Sequence, residues 1–250
     1  LLVLFIAVPV VALVLRTDPA TFGASITSPA SRTALALSAF TTAVTLVLAL
    51  LFGTPLAYLL ARSTFPGKGV VDSIVELPIV LPPAVAGVAL LVAFGRHGLL
   101  AAPLGAAGIH LSFSTAAVVM AQLFVAVPFF VRAARAGFAS VDRTLEEASD
   151  TLGFSPLGTF ARITVPLALP SIVGGAVLTW ARALGEFGAT IMFAGNLPGV
   201  SQTVPLAVYL GLEGGDLAGA TALSLVLVAT SIVVLAIVRM SDTSRPGPAP

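Results

Sequence analysis

Cysteine is missing from this 250-residue chain. That rules out disulfides, thiolate metal ligands and cysteine nucleophiles. Lysine occurs once, as Lys68, and histidine twice, as His97 and His110. The lone lysine decides one question. A phosphate-binding loop needs Gly-x4-Gly-Lys followed by Ser or Thr. Lys68 has Arg62 in place of the first glycine and Gly69 in place of the hydroxyl residue. The chain is therefore expected to bind no ATP itself. Neither His-Glu-x-x-His nor Gly-x-Ser-x-Gly occurs, so no catalytic residue, metal or cofactor is expected on this chain. Both histidines fall in or near one loop and are read as interfacial. Charge is scarce too, at 9% of residues, against about 25% in soluble domains. The scattered arginines offer no basic face for nucleic acid.

What is present is apolar length. The chain is 58% hydrophobic, with a mean hydropathy of +1.08. Such a composition points to an all-α, polytopic membrane protein, because a helix crosses the hydrocarbon with about 20 apolar residues. Six stretches meet or approach that length: Leu1–Leu15, Thr33–Ala61, Ser73–Phe94, Ser114–Val131, Pro166–Ala189 and Leu217–Val238. The first lacks a basic region before it and a good Ala-x-Ala cleavage context, so it is read as a span rather than a signal peptide. The chain starts on Leu rather than Met, and this span is expected to be clipped at its start.

Short-loop arginine and lysine set the orientation. With the N-terminus inside, Arg62, Lys68, Arg132, Arg135, Arg143, Arg162, Arg239 and Arg245 lie inside, and Arg16, Arg32 and Arg96 outside. Eight against three favours both termini in the cytoplasm. Residues 1–32 then hold the first span and an outside loop, and 33–239 the core, with a cytoplasmic loop at 140–166 within it. Residues 240–250 are expected to be a disordered cytoplasmic tail.

The inside stretch "EEASDTLGFSPLGTFARITVP" (Glu146–Pro166) is too elaborate for a connector. Thr144 and Glu147 have the spacing of a capping box. Gly153 suits a left-handed helix end, and Ser155-Pro156 a helix start. Two short helices joined at Gly153 are expected, with Leu157, Phe160, Ala161 and Thr164 on one side of the second. Pro166 and Pro170 mark entry into the fifth span.

In the spans, Arg182 and Glu186 stand four apart, at pairing distance on one helix face. They form either a buried structural pair or part of a pathway. Gly185 and Gly188 flank Glu186 and allow close approach or a bend. Pro78, Pro82 and Pro83 interrupt the third span, either as a packing kink or as a pathway lining.

Glu147-Ala148-Ser149, then Gly153, then Ile163-Thr164-Val165-Pro166 resembles the EAA signature of ABC-importer permeases. Every spacing matches; Ser149 and Val165 replace Ala and Leu. "ELPIVLPPAVAGVALLVAFGRHG", "RALGEFGATIMFAGNLPG" and "QTVPLAVY" are similar to permeases for molybdate, with sulfate and tungstate permeases sharing much of them. The resemblance implies a type I importer fold and a homodimer in the inner membrane of a prokaryote. It also implies a cytoplasmic ATPase dimer carrying ATP and Mg, and an extracytoplasmic substrate-binding protein. ATPase docking falls on Glu146, Glu147, Ala148, Ser149, Gly153, Ile163 and Pro166. Pathway or gate candidates are Arg182, Gly185, Glu186, Gly188, Pro82 and Pro83. The implied cargo is a tetrahedral oxyanion, molybdate first, with sulfate, thiosulfate or tungstate as rivals. A secondary transporter driven by an ion gradient is the alternative class.

Overall fold

The structure, a computed structural model, describes the backbone of residues 1–243 and the side chains of residues 1–236. Among these residues there are helices and no strand. In chain order they are α1 (Leu2–Arg16), α2 (Pro19–Thr27), α3 (Pro29–Arg62), α4 (Lys68–Val80), α5 (Pro83–Phe94), α6 (Ala101–Ala106) and α7 (Thr115–Ser140). Then follow α8 (Arg143–Thr151), α9 (Pro156–Thr159), α10 (Val165–Leu184), α11 (Gly188–Ala194), α12 (Val204–Glu213) and α13 (Leu217–Thr243). Among the described residues four helices are long and apolar enough to cross a membrane singly, and up to six spans result when two bent helix pairs each count as one.

Several expectations shift. The second span starts at Pro29 rather than Thr33, because Ser28 caps it and proline fills its first position. The connection before it, expected to lie outside, holds the short helix α2, and Arg32 lies inside α3 rather than in a loop. The third span is not one helix. Its halves α4 and α5 meet at 119° around Leu81-Pro82. Pro78, by contrast, sits inside α4 without ending it. The last helix runs to Thr243, past the expected start of a tail at 240. The rest of that tail, 244–250, lies outside the described residues.

The core forms around α7, which packs most extensively on α3 and α10. Small residues let the backbones approach. A Cβ on Gly137 would lie 2.5 Å from Ser171 Cβ, and one on Gly175 would lie 2.7 Å from Ala133 Cβ. Gly137→Val should therefore splay α7 from α10 and cost about 1–3 kcal/mol. A fall in the thermal unfolding midpoint of the detergent-solubilised protein checks this.

A polar ladder crosses the same core. Ser38, Thr41, Thr42 and Thr45 share one face of α3 and are all buried. Thr45 donates to Gln122 Oε1 at 3.0 Å, and Gln122 Nε2 donates to Thr41 at 3.3 Å. Trp180 Nε1 of α10 donates to Thr42 at 3.1 Å, and the Val204 amide of α12 donates to Ser38 at 2.8 Å. Four helices are thus tied by hydrogen bonds where water cannot compete.

Candidate functional site

The loop between α7 and α10 is built as the sequence suggested, with two changes. Asp142, not Thr144, caps α8: its carboxylate accepts from the Thr144 amide at 2.9 Å. The capping box is therefore not formed. Aspartate two residues earlier takes the cap and draws Thr144 and Glu147 into the helix. The Thr144 backbone N–H, and then its hydroxyl, hold the Asp142 carboxyl below its ordinary value. A depressed carboxyl stabilises the fold above its unfolded pKa and loses that contribution as pH falls through the folded pKa. Acidification below the usual carboxylate range should fray the start of α8, seen as faster amide exchange at Thr144. Asp142→Asn should flatten that dependence.

The second change concerns α9. It is no separate helix, for a π-helical turn, Phe160–Thr164, joins it without a break to α10. Ser155 caps it as expected, accepting from the Gly158 amide at 3.2 Å, and Gly153 adopts φ +83°. The expected apolar side is rotated by the π turn. Leu157 and Ala161 are exposed, whereas Thr159, Thr164 and Ala168 are buried. Phe160 remains on the inner side, against Tyr58 (4.9 Å between ring centroids) and Phe138 (6.0 Å).

Glu146 turns toward its own chain. Its Oε1 accepts from Arg62 Nη2 at 3.0 Å and from the Thr164 hydroxyl at 2.7 Å. Arg62 also donates to the Val141 carbonyl at 2.9 Å. This clasp joins the ends of α3 and α7, the first turn of α8 and the π turn. Ser149 is buried beside it on α8, its hydroxyl 2.9 Å from that of Thr159. Glu147 and Ala148 are exposed.

A groove of about 440 Å³ runs between α8 and the start of α10, lined by Leu145, Ala148, Leu152, Phe154, Ile163 and Pro166 among others. Leu145, Ala148, Ser149 and Leu152 recur at helical spacing, so α8 is strongly amphipathic. Leu145 and Leu152 are nevertheless 46% and 77% exposed. The apolar stripe of α8 therefore lacks a full partner within the chain. Arg162 covers one wall of the groove, 5.3 Å above the Phe154 ring.

The pathway candidates gather at the far end of α10, about 24 Å away at 1.5 Å per residue from Pro166 to Arg182. There α10 stops at Gly185, and the chain restarts as α11. Glu186 is 1% exposed. Its Oε1 accepts from the Ala189 amide at 2.8 Å, and its Oε2 lies 2.7 Å from Arg182 Nη2, close but off the axis of a hydrogen bond. The pair thus forms across the end of α10 and also caps α11. Gly188 is needed for its size, since a Cβ there would sit 2.8 Å from Pro83 Cβ. Gly185 has negative φ, and a Cβ there would meet only the Ala181 carbonyl oxygen, at 3.8 Å. Pro82 precedes α5 and Pro83 begins it. Two interrupted helices, α4–α5 and α10–α11, therefore meet where Pro83 touches Gly188.

Sequence reasoning missed Gln122, Trp180 and the hydroxyl stripe of α3. The stripe was visible as Ser38, Thr41, Thr42 and Thr45 at helical spacing in an apolar span. The Arg62–Glu146 clasp left no local trace.

Membrane-length helices, two interrupted helices and a loop that carries an amphipathic helix beside an apolar groove define a polytopic membrane protein. Residues 53–245 match the family described as "Binding-protein-dependent transport system inner membrane component", and the chain belongs to that family. It is thus an inner-membrane permease component rather than an enzyme. It is 46% identical over 233 residues to the molybdenum transport system permease protein ModB of Mycobacterium tuberculosis strain H37Rv, covering 93% of this chain and 88% of that protein. It is 42% identical over 207 residues to the protein of the same name from Escherichia coli K12, covering 82% and 90%. The fold matches a solved bacterial ABC transporter involved in import of the acidic polysaccharide alginate, with TM-score 0.73, 17% identity and coverage of 97% and 91%. It also matches the MetNI methionine ABC transporter, with TM-score 0.58, 22% identity and coverage of 84% and 92%.

Proposed function

We propose that this chain is the membrane subunit of an ATP-driven importer for a tetrahedral oxyanion, with molybdate as its cargo. The names of its relatives support the cargo. The observation that carries the coupling is the open apolar groove on α8, with the exposed Glu147 on the same helix. A cytoplasmic ATPase seats there, burying Leu145 and Leu152 and pairing with the Glu147 carboxylate. Glu146 holds the groove in shape from behind, Ser149 forms part of its lining, and Gly153 supplies the turn that closes it.

Two copies of the chain line the pathway, and two ATPases drive them. A substrate-binding protein delivers the anion from outside, and both termini lie in the cytoplasm, as the arginine bias supports. ATP and Mg reside on the ATPase. Because α9, the π turn and α10 are continuous, motion at the groove reaches the Arg182–Glu186 break along one rigid element. The junction of Pro83 and Gly188 is where α5 and α11 shift against each other during alternating access.

The test is purification through a tag on this chain, co-expressed with its ATPase. The ATPase should co-purify, and molybdate-loaded binding protein should stimulate hydrolysis. Greater stimulation by sulfate would reassign the cargo. A chain that purifies alone under these conditions would remove the coupling.

A further inference from the structure

Beyond the groove and the helix breaks lies a third feature, between the end of α5 and the start of α7. A recess of about 360 Å³ is lined by Arg96, His110 and Ser112 together with apolar and glycine residues, including Leu104 and Gly105 of α6. That volume is at the small end of ligand pockets, about 300–1,000 Å³. We infer that this recess is a reception site for a tetrahedral oxyanion, bound by Arg96, His110 and Ser112.

The loop is built to hold these residues. The amides of Leu99 and Leu100 bond back to the carbonyls of Val92 and Ala93 at the end of α5, at 2.8 and 2.9 Å. The Ile109 amide closes onto Leu104 O at 2.9 Å, and Gly108 takes φ +69°. Ser112 lines the recess and is only 4% exposed. Among the described residues Arg96 forms no ion pair. No aspartate or glutamate occurs anywhere between Glu76 and Asp142, so this segment brings no carboxylate to oppose an anion. A guanidinium, an imidazole and a hydroxyl are hydrogen-bond donors of the kind an oxyanion needs. A tetrahedral anion presents acceptors in every direction and can use several donors at once.

The inference rests on the importer reading, which puts this recess on the outer face, where the binding protein releases its cargo. The natural absence of cysteine makes the test clean. Ala101→Cys, which borders the recess, becomes the sole thiol of the tagged chain. It is labelled in spheroplasts, washed free of binding protein, that carry the assembled permease–ATPase complex. The reagent is a membrane-impermeant maleimide. Molybdate should slow labelling about tenfold at ten times its Kd, and chloride should not. Arg96→Ala and His110→Ala should each abolish that protection, and Arg96→Lys should retain part of it. Sulfate protection equal to that of molybdate would still support an oxyanion site. External labelling that molybdate leaves unchanged, in cells that take up molybdate normally, overturns this site and leaves the importer standing. Protection by the binding protein alone makes the recess a docking contact and also overturns it. Labelling only after permeabilisation contradicts the orientation, and the importer topology falls together with the site.

Discussion

Leu152→Asp should strip the ATPase from the purified complex while leaving the permease folded and inserted. Leu152 is 77% exposed within the chain, so the substitution removes almost no internal packing. The proposed docking of the ATPase buries the same side chain. Losing a buried leucine costs about 1.5–3 kcal/mol, and an unpaired carboxylate in its place costs more. A total of about 3 kcal/mol or more corresponds to at least a hundredfold weaker docking at each site. The checks are co-purification from detergent and the unfolding midpoint of the permease alone. The first should collapse and the second should hold. Glu147→Arg and Gly153→Pro should act in the same direction. The arginine reverses the exposed charge, and proline cannot adopt the positive φ of Gly153.

Glu186→Ala should have the largest effect on the permease itself. The substitution leaves Arg182 without its carboxylate and the Ala189 amide without its acceptor, both within the helix-break junction. Removing one partner of a fully buried pair costs about 3–5 kcal/mol, and with 29% of the Arg182 side chain exposed the loss falls toward the lower end of that range. The unfolding midpoint and the yield of detergent-extracted protein should both drop. Arg182→Met combined with Glu186→Met should recover the part of that loss due to the orphaned charge, because a well-packed apolar pair avoids it, while the Ala189 amide stays without its acceptor. If the double variant regains stability and still fails to transport, the pair acts on the anion as well as on the fold.

The fold was legible in the sequence where hydropathy and proline carry it. Apolar runs placed the membrane helices, and Pro82-Pro83 marked the break in the third span. The 119° angle at that break was not legible, because it depends on how α5 packs against α11 through Gly87 and Gly188. In the loop, Gly153 and Ser155-Pro156 did what their local chemistry dictates. The start of α8 did not: an aspartate two residues upstream outcompeted the threonine of a plausible capping box. The merger of α9 into α10 turned on a π turn anchored by Phe160 between Tyr58 and Phe138, and those contacts span the chain. Glu146 makes the same point. Its motif position suggested a docking residue, yet its partner Arg62 lies 84 residues away. Local pattern could not show that the carboxylate faces inward.

Molybdate uptake into proteoliposomes, with the permease, its ATPase and the binding protein all present, tests the central claim most directly. The account predicts uptake that requires enclosed ATP, persists when ion gradients are collapsed, and disappears with Leu152→Asp. Uptake without ATP that follows an imposed ion gradient, and survives Leu152→Asp, would contradict it.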